Sequence, residues 1–191
     1  MKVLVACESS YTVTEALRNK GHDAKSCDLL PTEGDAEHHI QGDVLQHLCD
    51  GWDMMIAFPP CPYLCNSGVR WLHERPMRWA LMKEACGFFN DLLNAPIPKI
   101  AIENPIQHRY ARELIRKPDQ IIQPYHFGDK ESKATCLWLV GLPPLLASFS
   151  GGEGIKQSVF NQPPSPNRWR ERSRTFPGIA KAMVEQWGEY E

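Results

Sequence analysis

Val3-Leu4-Val5-Ala6-Cys7 carries no polar residue on either of the two faces that a strand presents. A strand of that kind must be covered on both sides, as happens inside a parallel sheet and not on the wet face of an antiparallel one. Glu8 to Thr12 then offer several helix N-cap candidates. Val13, Ala16 and Leu17 follow at helical spacing until Gly21 stops the pattern. Asp23 to Asp28 reads as a second strand, so the chain opens with a short β-α-β unit.

The alternation continues. Residues 31 to 37, with Pro31 and Gly34, read as a loop, and Gly42-Asp43-Val44 as a further strand-to-helix turn. Asp53 to Phe58 is a buried strand that Pro59-Pro60 ends abruptly. Cys61 to Pro76 reads as a loop long enough to be functional, rich in Asn66, Ser67, Gly68, Arg70 and Trp71. Arg78 to Leu93 has helical spacing, and Lys99 to Ile102 is a short strand closing on Glu103-Asn104-Pro105. A helix is expected over Arg109 to Arg116, a strand over Thr135 to Val140 and a last helix over Ile179 to Trp187. Residues 143 to 166 are Pro-, Gly- and Ser-rich and without periodicity. The pattern predicts one α/β domain over 1–191, built on a doubly wound, mostly parallel sheet. Ligands of such sheets bind beyond the carboxyl ends of the strands, where Cys7-Glu8, Asp28, Phe58 to Cys61 and Glu103 would gather.

Composition narrows the partners. The 191 residues are 42% hydrophobic and 23% charged, the mix of an ordinary globule. With a net charge of -2, the molecule as a whole is no polyanion binder, so a nucleic-acid partner requires a local basic face. Arg168, Arg170, Arg172 and Arg174, with Trp169 between them, form the densest basic stretch. It suits phosphates and a stacked base, or simply a solvated face, since Glu171 interrupts it. Seven cysteines in no disulfide-like framework, and no signal core, predict reduced thiols in a cytoplasmic protein. No apolar run approaches a membrane span.

Cys61 directly follows a Pro-Pro stop at a strand end, which can hold its sulfur at the ligand edge of the sheet. A thiolate there is a strong nucleophile. Glu103, closing a neighbouring strand, could bind or protonate a ring nitrogen. Either residue by itself is equally well an inert turn cysteine or a solvated acid. Cys61 and Cys65, with Cys49, His47 or His73, have permissible zinc spacing, but no second tight pair accompanies them and no metal is expected.

Taken together, Pro59-Pro60-Cys61 resembles the nucleophile motif of the cytosine-5 DNA methyltransferases, and Glu103-Asn104 resembles their Glu-Asn motif. Val3–Glu8, Asp28 and Gly42-Asp43 correspond in order to that family's cofactor strand, second-strand acid and Gly-Asp pair. The resemblance implies a Rossmann-like, S-adenosylmethionine-dependent methyltransferase fold and attack by Cys61 on carbon 6 of cytosine. It also implies that Glu103 holds ring nitrogen 3 and the exocyclic amine. Lys133, in Glu131-Ser132-Lys133-Ala134-Thr135, stands where the family has an arginine supporting the extruded base. Implied cofactor contacts are Ala6, Cys7, Glu8, Ser9 and Ser10 around the methionine portion, then Asp28 with Leu29, Asp43 with Val44, and Phe58 with Pro59. Implied substrate contacts are Pro60, Asn66, Ser67, Arg70, Asn104, Arg170 and Arg172. The expected substrate is DNA, and a stand-alone domain of this kind would suit a phage. Two departures bear on this. The first turn reads Ala6-Cys7-Glu8-Ser9-Ser10 where the family has a phenylalanine and several glycines, and only residues 143–175 stand in place of a target-recognition region. Single-stranded DNA, RNA or a nucleotide is therefore an alternative substrate, and a non-catalytic binding protein an alternative function.

Overall fold

The computed structural model describes residues 1–149, 151–152 and 154–190. Its centre is a seven-stranded sheet of β1 (Lys2–Ala6), β2 (Asp23–Asp28), β3 (His39–Gln41), β4 (Met54–Ala57), β5 (Lys99–Pro105), β6 (Gln120–Ile122) and β7 (Thr135–Val140). The order across the sheet is β3-β2-β1-β4-β5-β7-β6. The first five strands are parallel, while β7 runs antiparallel to both β5 and β6. This is the Rossmann-like, mostly parallel α/β arrangement expected. Its order reverses between β1 and β4, which places the ligand-binding crevice of such folds at the ends of those two strands.

Both faces of the sheet are buried, for the reason that the opening run required. Leu4, Ala6, Met55, Ala57, Ile100 and Ile102 point to one side, against Phe89 of α3 (Arg78–Leu93) and Trp138. Val3, Val5, Met54, Ile56 and Ala101 point to the other, under α1 (Thr12–Asn19) and α6 (Pro177–Trp187). The period of two in each strand thus feeds two separate cores. Each fully buried Leu or Ile contributes roughly 1.5–3 kcal/mol.

Several sequence expectations need correction. Cys61 to Pro76 is not one loop: it contains a tight turn at Asn66–Gly68 and the short helix α2 (Arg70–Glu74). Glu103 lies inside β5, which runs on to Pro105 because β7 offers it an antiparallel partner. The helix expected at Arg109 to Arg116 shrinks to one turn, Ala111–Glu113. Pro118 disfavours helix before it, and outside groups take two of its carbonyls. Asn90 Nδ2 donates to Leu114 O, and Trp138 Nε1 to Arg116 O. Residues 143–175 hold only two short helices, α4 (Ser158–Asn161) and α5 (Arg168–Ser173), with positions 150 and 153 outside the described residues. Among the described residues no helix is long and apolar enough to cross a membrane.

Candidate active site

The turn after β4 is built by hydrogen bonds onto one carbonyl. Leu64 N and Cys65 N both donate to Cys61 O, at 3.0 and 3.1 Å. This single helical turn brings the Cys61 and Cys65 thiols onto one side. Cys65 Sγ lies 3.0 Å from Ser67 Oγ. Interaction with the Cys61 thiol, the Ser67 hydroxyl and the Ser67 and Gly68 amides brings the Cys65 thiol down to about 5. Cys61 is pushed well up, first by its interaction with Cys65 and then by burial and the nearby Glu103 carboxylate, with Lys133 opposing. The interaction thus drives the two thiols in opposite directions, Cys61 up and Cys65 down.

Glu103 reaches the same place from β5, and Lys133 from the segment before β7, so the three residues expected to act together do converge. The Glu103 carboxylate accepts a hydrogen bond from Thr135 Oγ1, an orienting contact that no sequence feature signalled. Asn104 Nδ2 donates to Pro59 O at 2.8 Å in a buried bond. That bond ties the Glu-Asn pair to the Pro-Pro-Cys turn. Asn104 Oδ1 and both amide atoms of Gln107, buried and without a hydrogen-bond partner, remain for something else. Gln107 escaped the sequence reading because nothing distinguishes it from a solvated loop amide until its bridge to Cys65 is seen.

The space beside Glu103 is closed. Glu103, Lys133 and Thr135 on one side and Ser173 to Phe176 on the other bound a cavity of about 10 Å³, room for one water at most. Lys133 Nζ donates to Arg172 O at 2.9 Å and lies 5.8 Å from the centre of the Phe176 ring. Arg170 and Arg174 both pair with Glu33, and the Arg172 guanidinium donates to Val159 O. The expected substrate arginines Arg170 and Arg172 are thus occupied within the protein. Asn66, Ser67, Pro60 and Arg70 are exposed around the nucleophile's turn.

At the ends of β1, β2 and β3 the expected cofactor residues also meet. The Cys7 thiol is pushed well up by burial and by the neighbouring Asp28, Cys27 and Asp43, which places both carboxylates around it. Asp28 Oδ1 accepts from Leu30 N and Asp43 Oδ1 from Leu45 N, leaving one oxygen of each uncommitted. Cys7 adopts φ +58°, where a glycine would sit without strain. The Glu8 side chain is committed to the start of α1. It is buried and accepts from Val13 N, Thr14 N and Thr14 Oγ1, so that of the candidates between Glu8 and Thr12 it is Glu8 that caps α1; burial raises its carboxyl. Ala6 and Val44 are buried, as is Pro59, with Phe58 and Ser9 and Ser10 partly so, while Leu29 is 73% exposed beside Asp28. Among the described residues, Asp35, Glu37 and His38, on the β2–β3 connection, are the group of three acids and imidazoles that come within ligand distance of one another; Cys61, Cys65, Cys49, His47 and His73 form no such group of three.

No protein-family model and no curated protein matches the sequence. Solved structures share the fold at low identity. One is a candidate DNA modification methyltransferase encoded within an E. coli prophage: 15% identity, TM-score 0.43, covering 73% of this chain and 46% of that one. Another is the Dnmt2 methyltransferase of S. pombe: 17% identity, TM-score 0.46, covering 97% of this chain and 64% of that one. The chain therefore spans less than two thirds of either neighbour.

Proposed function

We propose that this chain is a methyltransferase that modifies carbon 5 of cytosine, in DNA, through a covalent bond from Cys61. The observation that carries the reading is the meeting of Cys61, Glu103 and Lys133, with the Pro59–Asn104 bond holding the first two in register. Cys61 sulfur attacks carbon 6 of the ring while its proton passes to the Cys65 thiolate. The electrons of the carbon 5–carbon 6 bond move toward carbon 5. Glu103, oriented by Thr135, hydrogen-bonds ring nitrogen 3 and the exocyclic amine, where it stabilises the intermediate. Once carbon 5 is methylated, a water takes its proton, the C–H electrons restore the carbon 5–carbon 6 double bond, and Cys61 leaves as a thiolate that recovers its own proton from Cys65.

The residues at the β1–β3 ends fit S-adenosylmethionine. The uncommitted oxygens of Asp28 and Asp43 can accept from ribose hydroxyls and the adenine amine, and exposed Leu29 offers apolar cover. When bound, the cofactor supplies an electrophilic methyl group. A target base must be extruded to be reached. The cavity of about 10 Å³ cannot take a pyrimidine, so residues 173–176 have to lift away from Glu103 first. The lack of a recognition domain between β7 and α6 favours a second reading of the same chemistry, on a single strand, RNA or a nucleotide.

The deciding experiment supplies tritiated S-adenosylmethionine and mixed-sequence DNA to the wild type and to Cys61→Ala. Label recovered as 5-methylcytosine with the wild type alone is expected. Label on RNA or nucleotide only would move the reading to its second form, and no label on any substrate would leave a binding protein.

A further inference from the structure

Next to the nucleophile's turn the surface opens into a cleft of about 360 Å³, lined among others by Asn66, Arg70, His73, Arg109, Tyr110 and Arg112. Its walls are stitched to that turn. Asn66 N donates to Ile106 O at 3.2 Å and His108 N to Leu64 O at 2.9 Å. Whatever binds here therefore lies beside Cys61 and Cys65, not on a remote face.

The cleft is strongly cationic in a chain whose net charge is -2. Among the described residues, the arginines in ion pairs are Arg116, with Asp119, and Arg170 and Arg174, with Glu33; none of the three cleft arginines has an acidic partner. Aromatic rings hold two of them instead. Arg70 lies 4.3 Å from the centre of the Trp71 ring and Arg109 4.4 Å from that of Tyr110. Stacking positions a guanidinium without cancelling its charge. His73 sits edge-on to Tyr110 and Trp79, and its Nε2 is 3.2 Å from the Tyr110 hydroxyl, which gives the cleft a partly aromatic lining. Like charges gathered without an ion-pair partner, with only the Glu113 carboxylate acting on Arg109 from a distance, attract an anion, and guanidiniums match phosphate oxygens in geometry. The volume exceeds one phosphate and leaves room for part of its nucleoside.

We infer that the Arg70–Arg109–Arg112 cleft is a phosphate site that grips the backbone of the substrate strand beside the target base. The inference rests on the reading of Cys61 as a nucleophile toward a base, and it adds the strand's phosphodiester as what the protein holds. A phosphomonoester of a free nucleotide has the same chemistry, so the test carries both.

Binding is measured by fluorescence anisotropy across a salt series, without cofactor and on a Cys61→Ala background. The probes are a cytosine-containing single strand, a duplex, and cytidine monophosphate as competitor. Arg70→Ala/Arg109→Ala/Arg112→Ala should weaken single-strand binding at least ~10-fold and flatten the salt slope by about 2, at roughly 0.7 per lost phosphate contact. The triple Lys variant should keep most of the slope, and Lys181→Ala, on the exposed face of α6, should match the parent. Circular dichroism checks that the variants fold. Competition by cytidine monophosphate alone, lost in the triple Ala variant, would assign the site to a phosphomonoester. A triple Ala variant that binds like its parent, or a parent that binds none of the probes at low salt, overturns the inference. Neither result touches the methyl-transfer assay, so the two readings fail separately.

Discussion

Cys65→Ser is the most informative substitution, because the opposed shifts of the two thiols in the turn depend on one sulfur. Cys65 is brought from 9.0 to about 5, whereas burial pushes Cys27, Cys86 and Cys136 up to about 11 and Cys7 higher still, and the interaction with Cys65, followed by burial, pushes Cys61 well up. At neutral pH a thiol titrating near 5 is ~99% ionised, and an unperturbed one ~1%, a difference of about 100-fold. Ultraviolet thiolate absorbance, read on a Cys49→Ser background, should therefore rise in one step centred near pH 5. In Cys65→Ser that step should vanish, since a serine hydroxyl does not ionise in this range and Cys61 stays protonated beside Glu103. Stability follows the same proton. A depressed value in the folded state adds stability as pH rises from about 5 toward the unfolded value of 9.0, and that stability is lost as pH falls through about 5. Above 9.0 the raised value of Cys61 works the other way, because the unfolded chain then ionises where the folded one does not. Urea midpoints should accordingly climb from acid to mildly alkaline pH in the parent and more weakly in Cys65→Ser. A wild type with no thiolate step below neutral pH, or a step that survives in Cys65→Ser, refutes the reasoning and with it the role of Cys65 as proton acceptor.

Two other substitutions probe the closed site. Glu33→Gln removes the carboxylate that pairs with Arg170 and Arg174; half-exposed pairs of this sort are worth about 0–1 kcal/mol each, so global stability should hardly move. Hydrogen exchange over residues 168–176 should nevertheless quicken, and unchanged protection there would mean that the Lys133–Arg172 contact alone keeps the segment down. Asn104→Ala leaves Pro59 O buried without its donor and should cost about 1–3 kcal/mol in urea unfolding. It should also lower methyl transfer more than cofactor binding, and a variant with wild-type turnover would detach the Glu-Asn pair from the placing of Cys61.

The residue order by itself determined much of this fold. Apolar runs at Val3–Cys7 and Asp53–Phe58 admit only strands covered on both faces, and the helix over Arg78–Leu93 and the strand over Thr135–Val140 were legible to the residue, because local period and terminators act within a few positions. Pro59-Pro60-Cys61 and Glu103-Asn104 could be singled out because chemistry restricts which residue types can do such work. Tertiary structure decided the rest. That β5 extends through Glu103 depends on β7, a partner more than thirty residues away, and no local period reports it. That Glu8 caps α1, that Thr135 orients Glu103, and that Gln107 comes to lie beside Cys65 are encounters between residues whose separation in sequence carries no signal. The arginines make the same point. Arg170 and Arg172 looked free as a basic run, yet folding spends them on Glu33 and Val159 O. Arg109 and Arg112 looked unremarkable apart, and folding gathers them with Arg70, the one of the three already expected to touch substrate, in a single cleft. Charge pairing is set by distance in space, which the sequence encodes only through the fold.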